Sequence, residues 1–589
     1  MAKRDSVMKK PKDAKGTLVR LLRYVGQYWL ILTVVLILCL SSNILSLLGP
    51  RLAGAAINEA AAGVGKVNFE RVGYYALRML LFYVGSSLIN IAISIIMQLL
   101  SKWIGRKMRG DVFAKLMRLP VGFFDRNPAG DLISRVSYDI DVVSTCIATD
   151  VVQILTSIVT IIGSLIMMLT ISPPMSVIVI VSIPLSVFYA VSMRKKTQPR
   201  YSKRSKRYGA MNGFVEEMFS GQKTIQAYSY ENKVCDHFDE VNTDAADAYY
   251  DAEHYGCTMG PTMMAVNNIS LALVGIIGCL LYMAGGVNLG QISSFVLYSR
   301  KFSGPINEIA NIVNELFSAL SAAERVFSLL DEPEEIKDLE GAKELTDVTG
   351  NVELEHVSFG YDPEKVILHD LSLHAAPGKL VAIVGPTGAG KTTIINLLMR
   401  FYDVNGGSVK VEDCDIRDYT RKSLRAAYAM VLQDTWVFRG TIFENIAYGK
   451  EGATMEEVVR AAKAARIHSF IMRLPDGYNT VISEDGGNIS KGQKQLLTIA
   501  RAMLYDTSML ILDEATSNVD TGTERQVQKA MRSLMKGRTC FVIAHRLSTI
   551  QNADHILVLD HGDVVEQGTH ESLMAADGFY KKLYSAQFE

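Results

Sequence analysis

What the chain has little of narrows it first. Seven cysteines are spread over 589 residues (Cys39, Cys146, Cys235, Cys257, Cys279, Cys414 and Cys540), and no two form a CxxC pair. That spacing supports neither a zinc site nor a disulfide scaffold, so buried small hydrophobes are the plain expectation. No cleavable signal is expected: the basic start runs into an apolar segment too long and too late for one. Net charge is also missing, with 61 basic residues against 61 acidic ones. That balance hides a division. Apolar residues make up 49% of the chain and mean hydropathy is +0.16, high for a soluble protein. The excess lies in the first half, in runs long enough to cross a bilayer at ~20 residues each. The length predicts two or more domains: a membrane unit joined to a soluble α/β unit.

Residues 1–24 carry Lys3, Arg4, Lys9, Lys10, Lys12, Lys15, Arg20 and Arg23 against Asp5 and Asp13. By the positive-inside rule this end is cytoplasmic. Leu18, Leu21, Leu22 and Val25 share a helical face, which fits a short interfacial helix within a segment 1–26. Six spans are expected, at 27–50, 74–103, 150–172, 174–196, 259–284 and 288–320, within a helical domain 27–330. The links at 172–174 and 285–290 are short. Those at 104–149 and 197–258 are long and charged, so the helices continue into the cytoplasm and return. Eight positive charges and no acidic one fall within Arg194–Arg207; a solvated face near anionic lipid is the expectation. The stretches 123–141 and 213–231 are candidates to carry force to the soluble half.

Arg300 and Lys301 stand out. With span six starting near Asn288 they lie ~18 Å in, at 1.5 Å per residue, close to mid-bilayer. Such charges face a watery cavity or pair with another helix, and both readings stay open. Asn267, Asn268, Asn307, Asn311 and Asn314 could line the same space or join helices.

After a linker at 331–350, residues 351–589 read as a nucleotide-binding unit. The apolar strand LVAIV runs into GPTGAGKTT, which fits G-x-x-x-x-G-K-[ST] in its strand–loop–helix setting. Gly385, Pro386, Thr387, Gly388, Ala389 and Gly390 would wrap phosphates with backbone N–H groups. Lys391 would reach the β/γ-phosphates, Thr392 would suit Mg²⁺, and Thr393 follows. A second strand, MLILDE, delivers Asp513 to the metal and Glu514 to an attacking water. A third, TCFVIAH, delivers His545 to the γ-phosphate; ligand sites of α/β folds collect at such carboxyl ends. NISKGQKQ, 488–495, has the form of a helix start built to hold an anion.

Taken together, these residues resemble ATP-binding cassette exporters of the six-span, fused-cassette kind, over nearly the whole chain. The ordered set SFGY, VLQD, NISKGQ, ILDEATSNVD and AHRLS carries the resemblance. It implies that Tyr361 stacks on adenine. Gln433 would sense Mg²⁺ and the γ-phosphate, Glu514 would be the catalytic base, Asp520 would lie in the loop crossing to a partner cassette, and His545 would hold the γ-phosphate. The stretches 123–141 and 213–231 resemble the family's coupling segments. NISKGQ resembles the signature LSGGQ, so Ser490, Lys491, Gly492 and Gln493 would close over ATP held by a second chain. The resemblance thus implies a dimer using ATP and Mg²⁺.

The sequence departs from the family pattern at Lys491, where a glycine is usual, and at Ser483, where one is common. An intact Glu514 beside an altered signature resembles one chain of the bacterial heterodimeric multidrug exporters, with one consensus and one degenerate site. A homodimer tolerating Lys491 is the alternative. The expected activity is ATP-driven export of a lipophilic or amphipathic drug, lipid or peptide across the cell membrane, with the cassette cytoplasmic. A soluble cassette ATPase of nucleic-acid handling fails on the six spans, so no nucleic-acid partner is expected. A nucleotide-gated regulator is disfavoured by the intact Glu514, and an importer by the fusion of the two halves.

Overall fold

The computed structural model describes residues 13–588 apart from 64, 363, 434, 484–486, 514–520 and 545–546. It divides into two units: Met1–Leu119 with Asn127–Pro333, and Pro120–Arg126 with Glu334–Glu589.

The first unit is helical: α1 (Ala14–Gly26), α2 (Trp29–Ala60) and α3 (Phe69–Leu116) come first, and α4 (Val121–Arg126) belongs to the other unit. Then follow α5 (Ala129–Ser134), a π-helical stretch Arg135–Asp139, α6 (Ile140–Ala148), α7 (Asp150–Ile171), α8 (Pro173–Ser220), α9 (Gln222–Ala227), α10 (Glu231–Met283) and α11 (Leu289–Asp331). Six of these are long, from 22 residues in α7 to 53 in α10. A bilayer needs only ~20 residues, so α3, α8, α10 and α11 overrun it. Among the described residues, four helical stretches are long and apolar enough to cross a membrane: α2, α3, the run Ala129–Ile171 and α10. Helices α8 and α11 cover the places of the expected fourth and sixth spans but run longer, 48 and 43 residues, and neither is among those four stretches.

Polar side chains join the helices where lipid gives no hydrophobic drive for association. Ser42 Oγ on α2 lies 2.9 Å from Ser86 Oγ on α3, and Thr160 Oγ1 on α7 donates to Asn43 Oδ1 at 2.7 Å. Proline has no N–H, so Pro50 inside α2 cannot serve the carbonyl of Ser46 one turn back. Lys301 does: its Nζ donates to Ser46 O at 2.7 Å and to Ser46 Oγ at 2.6 Å. Next to it, Tyr298 donates to Leu47 O at 2.5 Å and Ser294 to Pro50 O at 2.8 Å. For Lys301 the structure therefore shows pairing with another helix; Arg300 is exposed.

The basic cluster on α8 is also less bare than its composition implies. Arg204 pairs with Glu253, Arg207 with Asp244 at 3.0 Å, and Arg200 lies 3.7 Å from the Tyr255 ring centre, all on α10. Asp139, buried, takes two bonds from Arg325 at 2.8 and 2.5 Å. In α1, Thr17, Leu21 and Val25 are buried while Leu18 and Leu22 are exposed. Cys39, Cys146 and Cys540 are buried as expected; Cys235, Cys257 and Cys279, all on α10, are exposed, against the expectation.

The second unit opens with β1 (Val352–Phe359), β2 (Leu368–Ala375), β3 (Leu380–Val384) and α12 (Lys391–Leu398). Next come β4 (Gly406–Val411), β5 (Cys414–Asp415), α13 (Arg421–Ala426), β6 (Tyr428–Val431), β7 (Gly440–Thr441), α14 (Ile442–Ala447), α15 (Met455–Ala464), α16 (His468–Ile471), β8 (Val481–Ile482) and α17 (Lys491–Tyr505). The unit closes through β9 (Met509–Asp513), α18 (Thr521–Met535), β10 (Thr539–Ile543), β11 (His555–Asp560), β12 (Asp563–Gly568) and short helices. Its main sheet runs β12-β11-β3-β10-β9-β6, parallel from β11 to β6 with β12 antiparallel at the edge. Central strands are buried on both faces, which explains their unbroken apolar runs. Alternation still assigns each residue a face. Ala382, Val384, Leu510, Leu512, Cys540 and Val542 join one core; Val381, Ile383, Met509, Ile511, Phe541 and Ile543 join the other. The second core includes the antiparallel sheet β2-β1-β4-β5. Part of the stretch expected as a linker is tied down: Arg421 bonds Asp338 at 2.9 Å and Ile336 O at 2.6 Å, and Arg425 bonds Glu335 at 2.5 Å.

Candidate functional site

The parallel register brings the ends of β3, β9 and β10 together, since Ile543 pairs with Ile383 on one side and Asp513 on the other. Beyond β3 the chain turns into α12 through Gly385, Gly388 and Gly390, with φ of 155°, 86° and 100°. At Gly385 a Cβ would fall 2.3 Å from Leu559 O, so only glycine lets β3 leave the sheet this way. The turn curls back on Lys391, whose Nζ lies 2.8 Å from both Gly385 O and Pro386 O. Burial pushes the Lys391 pKa down, and the nearby Asp513 carboxylate works against it. Pro386, Thr387 and Gly388 are exposed, Ala389 and Thr393 are buried, and Thr392 is exposed. A loop of amides around a lysine, with a hydroxyl and a carboxylate at its edge, fits the phosphates of a nucleoside triphosphate.

Tyr361 stands over the start of α12. Its hydroxyl lies 3.3 Å from Thr393 Oγ1 and accepts from Asn396 Nδ2 at 2.9 Å. Its ring meets Tyr402 edge-on at 4.9 Å and Phe359 at 5.1 Å, and is 45% exposed, enough to offer a base a face. Tyr402 reaches away to α4, donating to Asp125 Oδ2 at 2.6 Å. Burial raises the Tyr402 pKa and the Asp125 carboxylate raises it further, so the phenol stays a donor. Gln433 follows β6 and is exposed. Glu514, Asp520 and His545 lie outside the described residues, as do the side chains of Asn307, Asn311 and Asn314.

The second helix start is α17. Ser490 Oγ accepts from Gln493 N at 3.3 Å, and Ser490 N donates to Gln493 Oε1 at 2.8 Å, a reciprocal capping box. Lys494 N bonds Ser490 O at 2.9 Å. The amides of Lys491 and Gly492 come ahead of these; Lys491 is exposed and Gly492 buried. Ser483 is not idle either. It donates to Asn488 Oδ1 at 3.0 Å from both N and Oγ, and accepts from Asn488 N at 3.2 Å. Sequence reasoning missed Asn488, Tyr402, Asn396 and Asp125. RFYD, directly after the phosphate-loop helix, was the available signal for Tyr402.

Comparison with known proteins settles the family. A family model for the ABC transporter transmembrane region matches residues 30–306, and one for the ABC transporter matches 368–517. The chain is 42% identical over 580 residues to the ABC transporter ATP-binding protein YfiC of Bacillus subtilis (strain 168), covering 98% of this chain and 96% of that one. The chain belongs to the ABC transporters. It is also 44% identical over 480 residues to a fatty acid ABC transporter ATP-binding/permease protein of Mycobacterium tuberculosis (82% of this chain, 76% of that one). An ATP-dependent lipid A-core flippase of Methylobacillus flagellatus is 34% identical over 585 residues, 98% of each chain. Among solved structures, a bacterial Atm1-family ABC exporter with ATP bound superposes with a TM-score of 0.77 at 28% identity, covering 95% of this chain and 99% of that one. This ABC transporter is thus a half-transporter of the exporter type, a membrane protein with a helical transmembrane domain fused to an ATP-binding cassette, and its activity is ATP hydrolysis coupled to transport.

Proposed function

We propose that the chain is one half of a two-chain exporter in the cell membrane, with its N-terminus and cassette cytoplasmic, that moves an amphipathic, lipid-like substrate outward. Lys391 holds the β/γ-phosphates; Thr392, Gln433 and Asp513 hold Mg²⁺; Tyr361 stacks on adenine; Glu514 is the base and His545 holds the γ-phosphate. Ser490, Lys491, Gly492 and Gln493 close over the partner's ATP, with Asp520 crossing beside them. ATP favours the closed, outward state because that state binds it more tightly, and hydrolysis resets it. The names of two relatives, a fatty acid transporter and a lipid A-core flippase, support the lipid class over a drug or a peptide.

The observation that carries the two-chain reading is α17: an anion-binding helix start whose first residue, Lys491, is exposed and whose cap is complete. Lys491 in place of glycine favours a heterodimer in which this signature serves a degenerate site and this chain's own ATP meets a regular signature. The intact capping box favours a second reading, a homodimer in which Lys491 turns aside or adds a phosphate contact. Purified chain in nanodiscs separates them, with assembled mass and ATPase rate measured beside Glu514→Gln. Inactive or single-copy material supports the heterodimer. A two-copy particle with robust activity, lost in the variant, overturns it.

A further inference from the structure

The three rings at the nucleotide platform do more than frame it. Tyr361 is anchored by its hydroxyl to Thr393 and Asn396 on α12, the helix that begins with Lys391. Its ring meets Tyr402 at 4.9 Å and 81°, and Phe359 buttresses both, at 5.1 and 5.6 Å. Tyr402 in turn touches α4 twice. It donates to Asp125 at 2.6 Å, and its ring presses so close to Gly122 that a Cβ there would lie 2.8 Å from Cε1 and Oη. Arg126 Nε donates to Gly122 O at 2.9 Å and Phe123 is buried, so the six-residue helix is fixed from within. Residues 120–126 group with the cassette although the chain on either side belongs to the transmembrane unit. One phenol therefore rests on the aromatic platform with its ring and on α4 with its oxygen.

We infer that Tyr402 is a positioning residue that makes α4 respond to the nucleotide: a base stacked on Tyr361 fixes that ring, its edge fixes Tyr402, and the Tyr402–Asp125 bond passes the restraint to α4. The inference rests on Tyr361 as the adenine platform. A hydroxyl bond suits the task because it is directional, whereas ring packing alone tolerates sliding. Asp125 is exposed, so the bond gains little from burial and serves geometry.

The test is hydrogen exchange on the full-length assembled transporter in nanodiscs, with and without the non-hydrolysable probe AMP-PNP and Mg²⁺, beside ATPase kinetics. In the wild type the probe slows exchange at both 385–393 and 121–126, the latter by about tenfold. Tyr402→Phe keeps the ring, so ATP KM stays within about twofold and protection at 385–393 persists. Protection at 121–126 drops below about a third of its wild-type value. Asp125→Asn keeps an acceptor oxygen and retains the response. Equal probe-dependent protection at 121–126 in Tyr402→Phe and wild type overturns the inference. So does a uniform loosening of α4 that leaves the ratio with and without probe unchanged, since that marks a merely structural bond. Tyr361→Ala separates the underlying reading: unchanged ATP KM in that variant means that Tyr361 is not the platform, whatever Tyr402 does.

Discussion

Two helices in the cassette begin with motifs whose form suits an anion, and they are prepared differently. At α12 the N-cap is Gly390, left-handed at φ 100° and with no side chain to give. At α17 the N-cap is Ser490, and a reciprocal bond with Gln493 already occupies one amide of the first turn. The first arrangement also leaves two leading amides, Lys391 and Thr392, since Thr393 N bonds Gly390 O at 3.1 Å, but it bends the preceding chain around them, so further amides can converge with Lys391 on one ligand. The second leaves only the leading amides, Lys491 and Gly492, and a hydroxyl. A nearly complete phosphate cradle and a one-sided lid are two uses of the same dipole. The lid is sufficient only when something else supplies the rest of the cradle, which is the physical content of the two-chain proposal.

The comparison breaks most visibly at Lys391. Lys391→Ala removes the ammonium around which the cradle curls and lowers the ATPase rate by roughly 10²-fold or more, measured by phosphate release from the assembled protein. Gly385→Ala comes next. Its Cβ would enter the space of Leu559 O in a backbone conformation that disfavours side chains. The expected cost is about 2–4 kcal/mol, read as a lower cassette melting temperature by calorimetry in nanodiscs. Ser490→Ala opens the capping box at the lid, costs about 1 kcal/mol of local stability, and shows as faster amide exchange over 491–495. Smallest is Lys491→Gly. If this signature serves a degenerate site, turnover of the heterodimer changes by less than about threefold. A tenfold rise would place Lys491 at a working site and favour the homodimer.

How much of this was legible in the sequence follows from what fixes each feature. GPTGAGKT was legible because its glycines are demanded by backbone geometry, which no distant residue can supply. LVAIV, MLIL and TCFVI were legible as buried strands because a parallel sheet covers both faces. The capping box was not foreseen as such, though Ser490 and Gln493 were named. Tyr402 stayed hidden because its role exists only where residues 122–125 meet 402, a contact that no local pattern encodes. Lys301 was ambiguous for the same reason. A charge far inside an apolar run has two physical readings, and only its partner, Ser46 on α2, separates them.

That partner has a further meaning for inheritance. Lys301 stands in for the N–H that Pro50 lacks, so neither position is free to change by itself. A lineage that loses the lysine leaves a bare carbonyl in hydrocarbon. One that loses the proline gives Ser46 O its helical partner back and leaves the ammonium the Ser46 hydroxyl at 2.6 Å and the Tyr83 ring at 5.6 Å. The two sites, far apart along the chain, are therefore expected to change together, with a methionine at 301 expected to cost less where residue 50 regains its amide.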